Sequence, residues 1–377
     1  MRKKLRLDEQ QYFTWDYIIS QKDRNGDVPE IYMACSRVRG PGKTTDIGRQ
    51  MLAQWRGEPC PLADLIGTRR KICILTPTKQ MLGTVAQGTL SSAIAVHYPG
   101  LQVWETIQAK TYSEIHLRTP GETDEDPPEE EVIGYVIPLN SRKTIKEISG
   151  LFLDVGVMFL DEFIAPDNDY VPDYVNKIID IHNSIARGPD PSPQADPERG
   201  RYVPLFLAAN CITQDNPLFI ELDLTQNLQN DTRIYRGVGC IYQRCENTFA
   251  VGKQAGSRFN QAFAKSGYLG STGWMIDDFA ACEKPSKSWG RSYYDATLIV
   301  EGIKYGAYWF PSNGYLYICH SVDETCPHVY NATIDGAPNV PYLRTGGWWK
   351  TLRDSLHSGL VRFQDSQCAR AVLYTCR

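Results

Sequence analysis

Several features that define large protein classes are missing from this sequence of 377 residues. It has no apolar run of about 20 residues, so no transmembrane helix and no membrane partner are expected. It has no C-x-x-C pair, and its 11 cysteines are an odd number, several of them in apolar runs, as Cys73 is. Such buried thiols indicate a reducing cytoplasm rather than a disulfide framework. The basic residues 1–6 are followed by polar ones, which predicts that the chain is not secreted.

An excess of basic charge is also missing, because the formal net charge is −4. A nucleic-acid-binding protein is usually basic. However, residues 121–131 carry seven acids, and without them the chain has 40 basic against 37 acidic residues. Residues 233–291 hold nine Lys or Arg against four acids, and residues 339–377 hold six against two. The charge therefore permits phosphate contacts by the C-terminal half, and the acidic run is expected to be an exposed, mobile loop.

Short apolar runs alternate with helical patterns over the first 230 residues. The predicted strands cover residues 30–36, 71–76, 132–137, 155–160 and 203–209, and the predicted helices cover 43–55, 79–97 and 172–186. Unbroken apolar strands between helices predict an α/β fold with a mostly parallel sheet flanked by helices.

A β-rich pattern follows, with an Asn313-Gly314 hairpin signal between two apolar runs. The length suggests two domains. We expect an N-terminal domain over 1–225, a linker over 226–245 and a smaller C-terminal domain over 246–377.

The segment after the first predicted strand matches most of a phosphate-binding loop. The match consists of a strand, a glycine-rich turn ending in Gly42, Lys43 and Thr44, and then a helix. In such a loop the backbone N–H groups surround phosphate oxygens, the lysine contacts the β- and γ-phosphates, and the threonine binds Mg²⁺. Arg37 stands where the pattern has its first glycine, so a chance Lys-Thr pair in a turn is the alternative. The predicted nucleotide-binding residues are Arg39, Gly40, Pro41, Gly42, Lys43, Thr44 and Thr45.

Two later strands end in polar side chains. The run 157–160 is followed by Asp161 and Glu162, and the run 203–209 is followed by Asn210. Beside a phosphate loop, Asp161 would help Thr44 to hold Mg²⁺, and Glu162 would be the general base for the attacking water. A solvated acid pair is the alternative. Asn210 is the predicted sensor of hydrolysis, with Thr213 as the second choice.

A cation that offsets charge on the γ-phosphate is expected as well. Arg187, at the end of a predicted helix, is our first choice for an arginine acting on a neighbouring subunit. Arg199 and Arg201 are alternatives, and Arg37 or Arg39 could act within the same subunit. The competing interpretation is an arginine that simply stabilises a helix C-terminus.

Together these segments resemble the DNA-packaging (encapsidation) ATPases of small tailed phages, which are related to terminase large subunits and to FtsK/HerA-type translocases. The resemblance rests on the arginine-containing loop, on residues 159–164, on 208–210 and on Asn216-Pro217. It covers residues 30–230 well and the remainder more loosely. Five residues match positions of the family's ATPase site, namely Lys43, Thr44, Asp161, Glu162 and Asn210. Arg187 matches the position of the arginine that acts on a neighbouring subunit, but less closely.

The resemblance implies a P-loop NTPase fold of the ASCE, RecA-like type and an RNase H-like C-terminal domain. It implies ATP and Mg²⁺ as cofactors, and a homo-oligomeric ring, commonly of five subunits. That ring would dock at the portal (connector) vertex of the prohead in the host cytoplasm and drive double-stranded DNA inward. A structural packaging RNA is a further candidate partner.

The C-terminal half offers two other candidate sites. Asp295, Glu301, Asp323 and Glu324 could bind the metal ions of a nuclease, with Glu301 expected on a strand, but they lack an obvious pairing and we expect the domain to be nuclease-inactive. Cys319, His320, Cys326 and His328 could form a metal cluster, although their spacing matches no standard zinc pattern. A terminase with an active nuclease, or a P-loop helicase or translocase of another role, remains the alternative function.

Overall fold

A nine-stranded and a five-stranded sheet organise the chain in the computed structural model. The residues that the structure describes are 12–36, 40–121, 128–165, 170–196, 198, 200–210, 216–225, 227–229, 232–245, 258, 282–332 and 336–376. The chain divides into a larger unit, Met1–Ile212 with Arg233–Ile276, and a smaller unit, Thr213–Thr232 with Asp277–Arg377.

The larger unit alternates strands and helices, as the apolar runs predicted. Its described elements are α1 (Asp16–Ile19), β1 (Ile31–Ser36), α2 (Lys43–Arg56), α3 (Pro61–Ile66), β2 (Lys71–Thr76), α4 (Val85–His97), β3 (Gln102–Gln108), β4 (Tyr112–Thr119), β5 (Glu129–Pro138), α5 (Arg142–Glu147), β6 (Val155–Asp161), α6 (Tyr174–Ile185), β7 (Leu205–Asn210), β8 (Ile234–Arg236) and β9 (Cys240–Cys245).

The strand order of the larger sheet is β3-β4-β5-β2-β6-β7-β1-β9-β8. The six strands from β5 to β9 pair in parallel, and antiparallel pairs occur only at the two ends of this sheet. The predicted mostly parallel α/β fold is therefore confirmed. Because β6, β7 and β1 are neighbours and parallel, the polar residues that end them lie along one edge of the sheet.

Both faces of the central strands are buried. Tyr32, Phe159 and Phe206 belong to one core cluster with apolar residues of α2, α3 and α4, whereas the alternate residues Met158 and Leu207 point to the other face and are also buried. Gly48 allows α2 and α4 to approach closely. A Cβ at this position would lie 3.2 Å from the Ala93 Cβ and 3.3 Å from the Thr89 carbonyl oxygen.

The acidic run differs in part from the loop that was predicted. β5 begins at Glu129, so the last three acids of the run belong to a strand that pairs with β4. Glu130 forms an ion pair with Arg118, and Glu131 accepts hydrogen bonds from the Trp55 Nε1 at 3.0 Å and the Arg69 Nη1 at 3.1 Å. These cross-strand and helix contacts fix the acids, while residues 122–127 lie outside the described part of the chain.

Two other regions also differ from their predicted structure. Strands β3 and β4 were not predicted, because their alternating polar residues give no unbroken apolar run. Strands β8 and β9 lie within residues 226–245, where a linker was expected. β9 pairs in parallel with β1, with Cys35 opposite Arg244. An edge addition of this kind depends on pairing across some 200 residues of sequence, which a local pattern does not encode.

The smaller unit is β-rich, as expected. Its described elements are α7 (Pro217–Glu221), β10 (Tyr293–Val300), β11 (Ile303–Phe310), β12 (Tyr315–Cys319), β13 (Val329–Asn331), α8 (Trp348–His357), β14 (Val361–Phe363) and α9 (Ser366–Cys376), and the strand order is β13-β10-β11-β12-β14. The Asn313-Gly314 turn joins β11 to β12, which confirms the predicted hairpin. Glu301 was expected on a strand, but it lies in the tight turn between β10 and β11 with a φ of 49°.

Candidate active site

Three neighbouring strands deliver polar side chains to one edge of the larger sheet. Asp161 is the last residue of β6, and Asn210 is the last residue of β7. In the parallel register Asn210 lies opposite Ser36, the last residue of β1, and Asp161 lies opposite Ala208. Ligands of open α/β sheets bind outside the carboxyl ends of the strands, so this edge is the expected position of an active site.

The glycine-rich loop returns the chain from β1 into α2 at this same edge. Gly40 and Gly42 have φ values of 77° and 104°, and Gly42 is the N-cap of α2. A side chain at Gly42 would be strained at this φ, and its Cβ would lie 3.4 Å from the Tyr12 Cβ. The N-terminus of α2, with its unpaired N–H groups and positive dipole end, is therefore directed as an anion site requires. Arg39 and Arg37 lie outside the described residues.

One amide connects the lysine of the loop to the glutamate of the acid pair. The buried Lys43 donates from Nζ to the Asn210 Oδ1 at 3.3 Å. The Asn210 Nδ2 donates to the Glu162 Oε1 at 2.7 Å, and its backbone N–H donates to the Glu162 Oε2 at 3.4 Å. The predicted lysine, sensor and general base therefore form one continuous chain of hydrogen bonds.

The second connection joins the loop threonine to the first carboxylate. The Thr44 Oγ1 donates to the Asp161 Oδ2 at 2.7 Å, and the Glu162 N–H donates to the Asp161 Oδ1 at 3.0 Å. Burial is the largest influence on Asp161 and raises its pKa, against the lowering effect of the hydrogen bond from Thr44 and of the Lys43 charge. A desolvated carboxylate next to a hydroxyl is a hard oxygen donor pair, which suits Mg²⁺.

Glu162 has an unusual backbone conformation. Its φ is 48°, in the left-handed region, directly after β6 ends. For a residue with a Cβ this conformation costs roughly 1–3 kcal/mol, which surrounding contacts must offset. The contacts to Asn210 and Asp161 do so here, and the bend turns the Glu162 carboxylate toward β7.

Other predicted residues are not part of this cluster. The Thr45 hydroxyl donates to the Ser92 Oγ on α4 at 3.0 Å. Arg187 is exposed, follows the C-terminus of α6 and donates from Nε to the Asn183 carbonyl at 3.1 Å. Arg201 is buried and donates to the Ile185 and Val155 carbonyls, so a role across a subunit boundary does not fit it. Arg199 and Thr213 lie outside the described residues.

A segment that the sequence analysis missed fixes the loop from the N-terminal side. The Phe13 N–H donates to the Pro41 carbonyl at 2.8 Å, and the Trp15 Nε1 donates to the Lys43 carbonyl at 2.9 Å. The Trp15 N–H donates to the Asp46 Oδ2 at 2.8 Å. Asp46 is the one local sign of these contacts, because it is a carboxylate in the first turn of α2 on the side of the helix that is buried.

The acids proposed for a nuclease do not converge. Asp295 accepts from the Trp348 Nε1 at 2.6 Å, and Glu324 pairs with Lys304 at 2.5 Å. Asp323 accepts from the Thr325 hydroxyl at 2.6 Å. Within the described residues, no group of three of these carboxylates could hold a metal ion.

The four cysteine and histidine residues that could have formed a metal cluster are not assembled into one either. Cys319 lies 3.7 Å from the Ser321 carbonyl and Cys326 lies 4.0 Å from the Asp295 carbonyl. In the described part of the chain, His320 instead meets two residues from another part of the sequence, Asp365 and Cys368.

The described helices are all too short or too polar to cross a lipid bilayer.

Comparison with known proteins gives matches at the level of structure. No protein-family model and no curated protein sequence matches the chain. The viral genome packaging motor assembly of bacteriophage Phi-29 contains a chain with a TM-score of 0.50 and 15% identity, covering 93% of this chain and 96% of that one. The Phi-28 gp11 DNA packaging motor gives a TM-score of 0.46 at 14% identity, covering 97% and 96%. A Thermus phage large terminase ATPase domain gives 0.32 at 9% identity, covering 64% and 84%. The chain therefore shares the fold of a chain of the Phi-29 genome packaging motor over 93% of its length.

Proposed function

We propose that the protein is an ATP-driven motor that moves double-stranded viral DNA into a preformed capsid. The observation that carries this proposal is the hydrogen-bonded chain from Lys43 through Asn210 to Glu162, beside the Thr44–Asp161 pair. This set contains every group that ATP hydrolysis needs from one subunit: a phosphate-binding lysine, a metal-binding pair and a general base.

The role of each side chain follows from its chemistry. Lys43 would balance phosphate charge, and Thr44 with Asp161 would hold Mg²⁺, which when bound neutralises charge on the phosphate oxygens. Glu162 would accept a proton from the attacking water. Asn210 contacts both Lys43 and Glu162. When Lys43 turns to a phosphate, Asn210 loses that partner, so the amide couples the presence of nucleotide to the orientation of the base.

The partners belong to the proposal too. The fold shared with a genome packaging motor supports a ring of subunits, five by resemblance, docked at the portal vertex of a prohead in the host cytoplasm. A structural packaging RNA would be a further partner. The basic C-terminal half would contact DNA phosphates without reading sequence. Asp295, Asp323 and Glu324 each have other partners, and this supports a C-terminal domain that does not cut DNA.

Arg187 is proposed as the arginine that acts on a neighbouring subunit. It is exposed, and its one described side-chain hydrogen bond is to the carbonyl of Asn183 rather than to a residue of the cluster. Rings mixed from Arg187→Ala and Glu162→Gln subunits test this role. If Arg187 serves a neighbour, some mixed interfaces regain all catalytic groups and ATP hydrolysis recovers. Mixed rings that form but show no recovery at any ratio would exclude it.

The experiment that tests the function is packaging in a purified system. Protein, empty capsids, DNA and ATP are combined, and the DNA that resists added nuclease is measured. We expect protection with the wild-type protein and none with Glu162→Gln. Rapid ATP hydrolysis by the wild-type protein without any DNA protection would refute the packaging role but not the proposed ATPase site.

A further inference from the structure

A mixed cluster of metal-ligating side chains lies in the smaller unit, apart from the proposed ATPase site. His320 follows β12, Asp365 follows β14, and Cys368 lies in the first turn of α9. The His320 Nε2 is 2.8 Å from the Asp365 Oδ2 and 3.6 Å from the Cys368 Sγ. All three potential ligand atoms lie within 4.8 Å of one another.

The fold brings these residues together by strand pairing and a helix cap. β12 and β14 are parallel neighbours, with Ile318 opposite Phe363, so the chain leaves both strands at the same edge. The Asp365 Oδ1 accepts the Cys368 N–H at 3.0 Å and thereby caps α9, which leaves the Oδ2 directed at His320. The His320 backbone N–H donates to the Gln364 Oε1 at 3.1 Å. These contacts fix the Asp365 carboxylate and the backbone of His320 beside it.

The hydrogen-bonding geometry argues against a catalytic triad. In a triad the two ring nitrogens have different partners, the acid on one and the nucleophile on the other. Here Asp365 and Cys368 both face the same atom, the His320 Nε2. This arrangement is not that of a proton relay, and three potential ligand atoms within 4.8 Å of one another can coordinate one ion.

We propose that His320, Asp365 and Cys368 bind a divalent late first-row transition-metal ion, with Zn²⁺ as the best match. Zn²⁺ takes nitrogen at about 2.0–2.1 Å and thiolate sulfur at about 2.3 Å in tetrahedral geometry, which requires an N–S separation of roughly 3.6 Å. The separation of the His320 Nε2 and the Cys368 Sγ is 3.6 Å. The 2.8 Å between the His320 Nε2 and the Asp365 Oδ2 is a hydrogen-bond distance, which ion binding would lengthen to about 3.3 Å. Imidazole, carboxylate and thiolate together suit Zn²⁺ better than Mg²⁺ or Ca²⁺.

Charge and access agree with this assignment. A thiolate and a carboxylate neutralise a divalent cation, so the loaded site would carry no net charge in surroundings where Asp365 and Cys368 are buried. The ion can enter past His320, whose side chain is 34% exposed. Binding would release the Cys368 thiol proton to solvent. Three protein ligands leave a fourth position for water.

The test is Co²⁺ titration of the full chain after removal of metal with a chelator. Wild-type protein is expected to bind one equivalent and to develop a thiolate-to-cobalt charge-transfer band, which one equivalent of Zn²⁺ then bleaches. Cys368→Ser should lose the band, and the matched control Cys326→Ser should keep it. A wild-type chain without the band, or an unchanged band in Cys368→Ser, would overturn the proposal.

A second variant keeps the test decisive if the buried Cys368→Ser does not fold. His320→Gln changes a partly exposed ligand and should weaken Co²⁺ binding at least tenfold while the melting curve of the metal-free protein stays close to wild type. Unchanged Co²⁺ affinity in His320→Gln would exclude this cluster as the binding site. The ATPase rate serves as a separate readout, because the proposed metal site contains no residue of the proposed nucleotide-binding cluster. If the metal proposal fails, the proposed ATPase function is not affected.

Discussion

The two units use the same kinds of side chain with different outcomes. In the larger unit, Asp161 and Asn210 end adjacent parallel strands, Glu162 follows the first of them, and all three join one hydrogen-bonded cluster with the loop. In the smaller unit, Glu301 lies in a hairpin turn and Asp295 is held by Trp348. Parallel neighbours bring strand ends to one edge, whereas antiparallel hairpins send successive strand ends to opposite edges. Topology therefore decides which acids could act together.

Apart from loss of the general base Glu162, the largest expected effect comes from removing the Lys43 charge at the centre of the cluster. Lys43→Ala should lower ATP hydrolysis by about 10²–10³-fold, the usual cost of one preorganised charge-stabilising group. Lys304→Ala is the matched control, because Lys304 pairs with Glu324 in the smaller unit, and its rate should equal wild type. Steady-state phosphate release measures the ATPase rates of both variants. Wild-type turnover by Lys43→Ala would show that the loop does not bind phosphate as proposed.

Removing the connecting amide should have the next largest effect. Asn210→Ala deletes hydrogen bonds to Lys43 and Glu162, and hydrogen bonds to charged groups are worth about 1.5–3 kcal/mol each. We expect turnover to fall by roughly 10–100-fold. Asn216→Ala, which removes the N-cap of α7 in the smaller unit, should lower stability by about 1 kcal/mol and leave turnover unchanged. Equal ATP turnover in Asn210→Ala and Asn216→Ala would show that Asn210 has no role in catalysis.

A stability measurement distinguishes the desolvated Asp161 carboxylate from an ordinary one. Burial raises the pKa of Asp161 above 3.8, so its ionised form is less favourable in the folded chain than in the unfolded chain. Below pH 3.8 the group is protonated in both states and carries no penalty, and the penalty is complete above the raised pKa. The stability of Asp161→Asn relative to wild type should therefore increase with pH across this range.

Thermal melts of the metal-free proteins between pH 3 and 7 check this prediction. The Asp64→Asn variant provides a reference carboxylate in the first turn of α3. If the stability of Asp161→Asn relative to wild type were constant or fell with rising pH, Asp161 would not be a desolvated carboxylate.

The smallest expected effect concerns DNA cleavage by the smaller unit. Because Asp295, Asp323 and Glu324 are held by separate partners, plasmid DNA incubated with the protein and Mn²⁺ should stay intact. Agarose gels with a known nuclease as the positive control measure this. Cleavage that disappears in Glu301→Ala would show that the acids converge in solution and would favour a terminase-type nuclease.

Local patterns predicted the elements that position the site. The apolar runs identified β1, β6 and β7, and the residues that end them identified Asp161 and Asn210. The cap of α2 by Gly42 and the position of Lys43 were equally visible, because loop chemistry and helix start are local.

Long-range pairings were not predictable in the same way. The contacts of Trp15 with Lys43 and Asp46 join residues about 30 positions apart, and the pairing of β9 with β1 joins residues some 200 positions apart. The meeting of His320 with Asp365 depends on β12 and β14 being neighbours, which no spacing in the sequence indicates. The left-handed backbone of Glu162 was likewise hidden, because glutamate carries no local preference for it.

The central claim is that the edge formed by β1, β6 and β7 hydrolyses ATP through Glu162. The most direct measurement compares Glu162→Gln with Glu301→Gln, which make the same chemical change in the two units, for both ATP binding and ATP turnover. We predict that Glu162→Gln binds ATP but hydrolyses it about 10²–10⁴-fold more slowly, while Glu301→Gln matches wild type. Full turnover by Glu162→Gln would contradict the account.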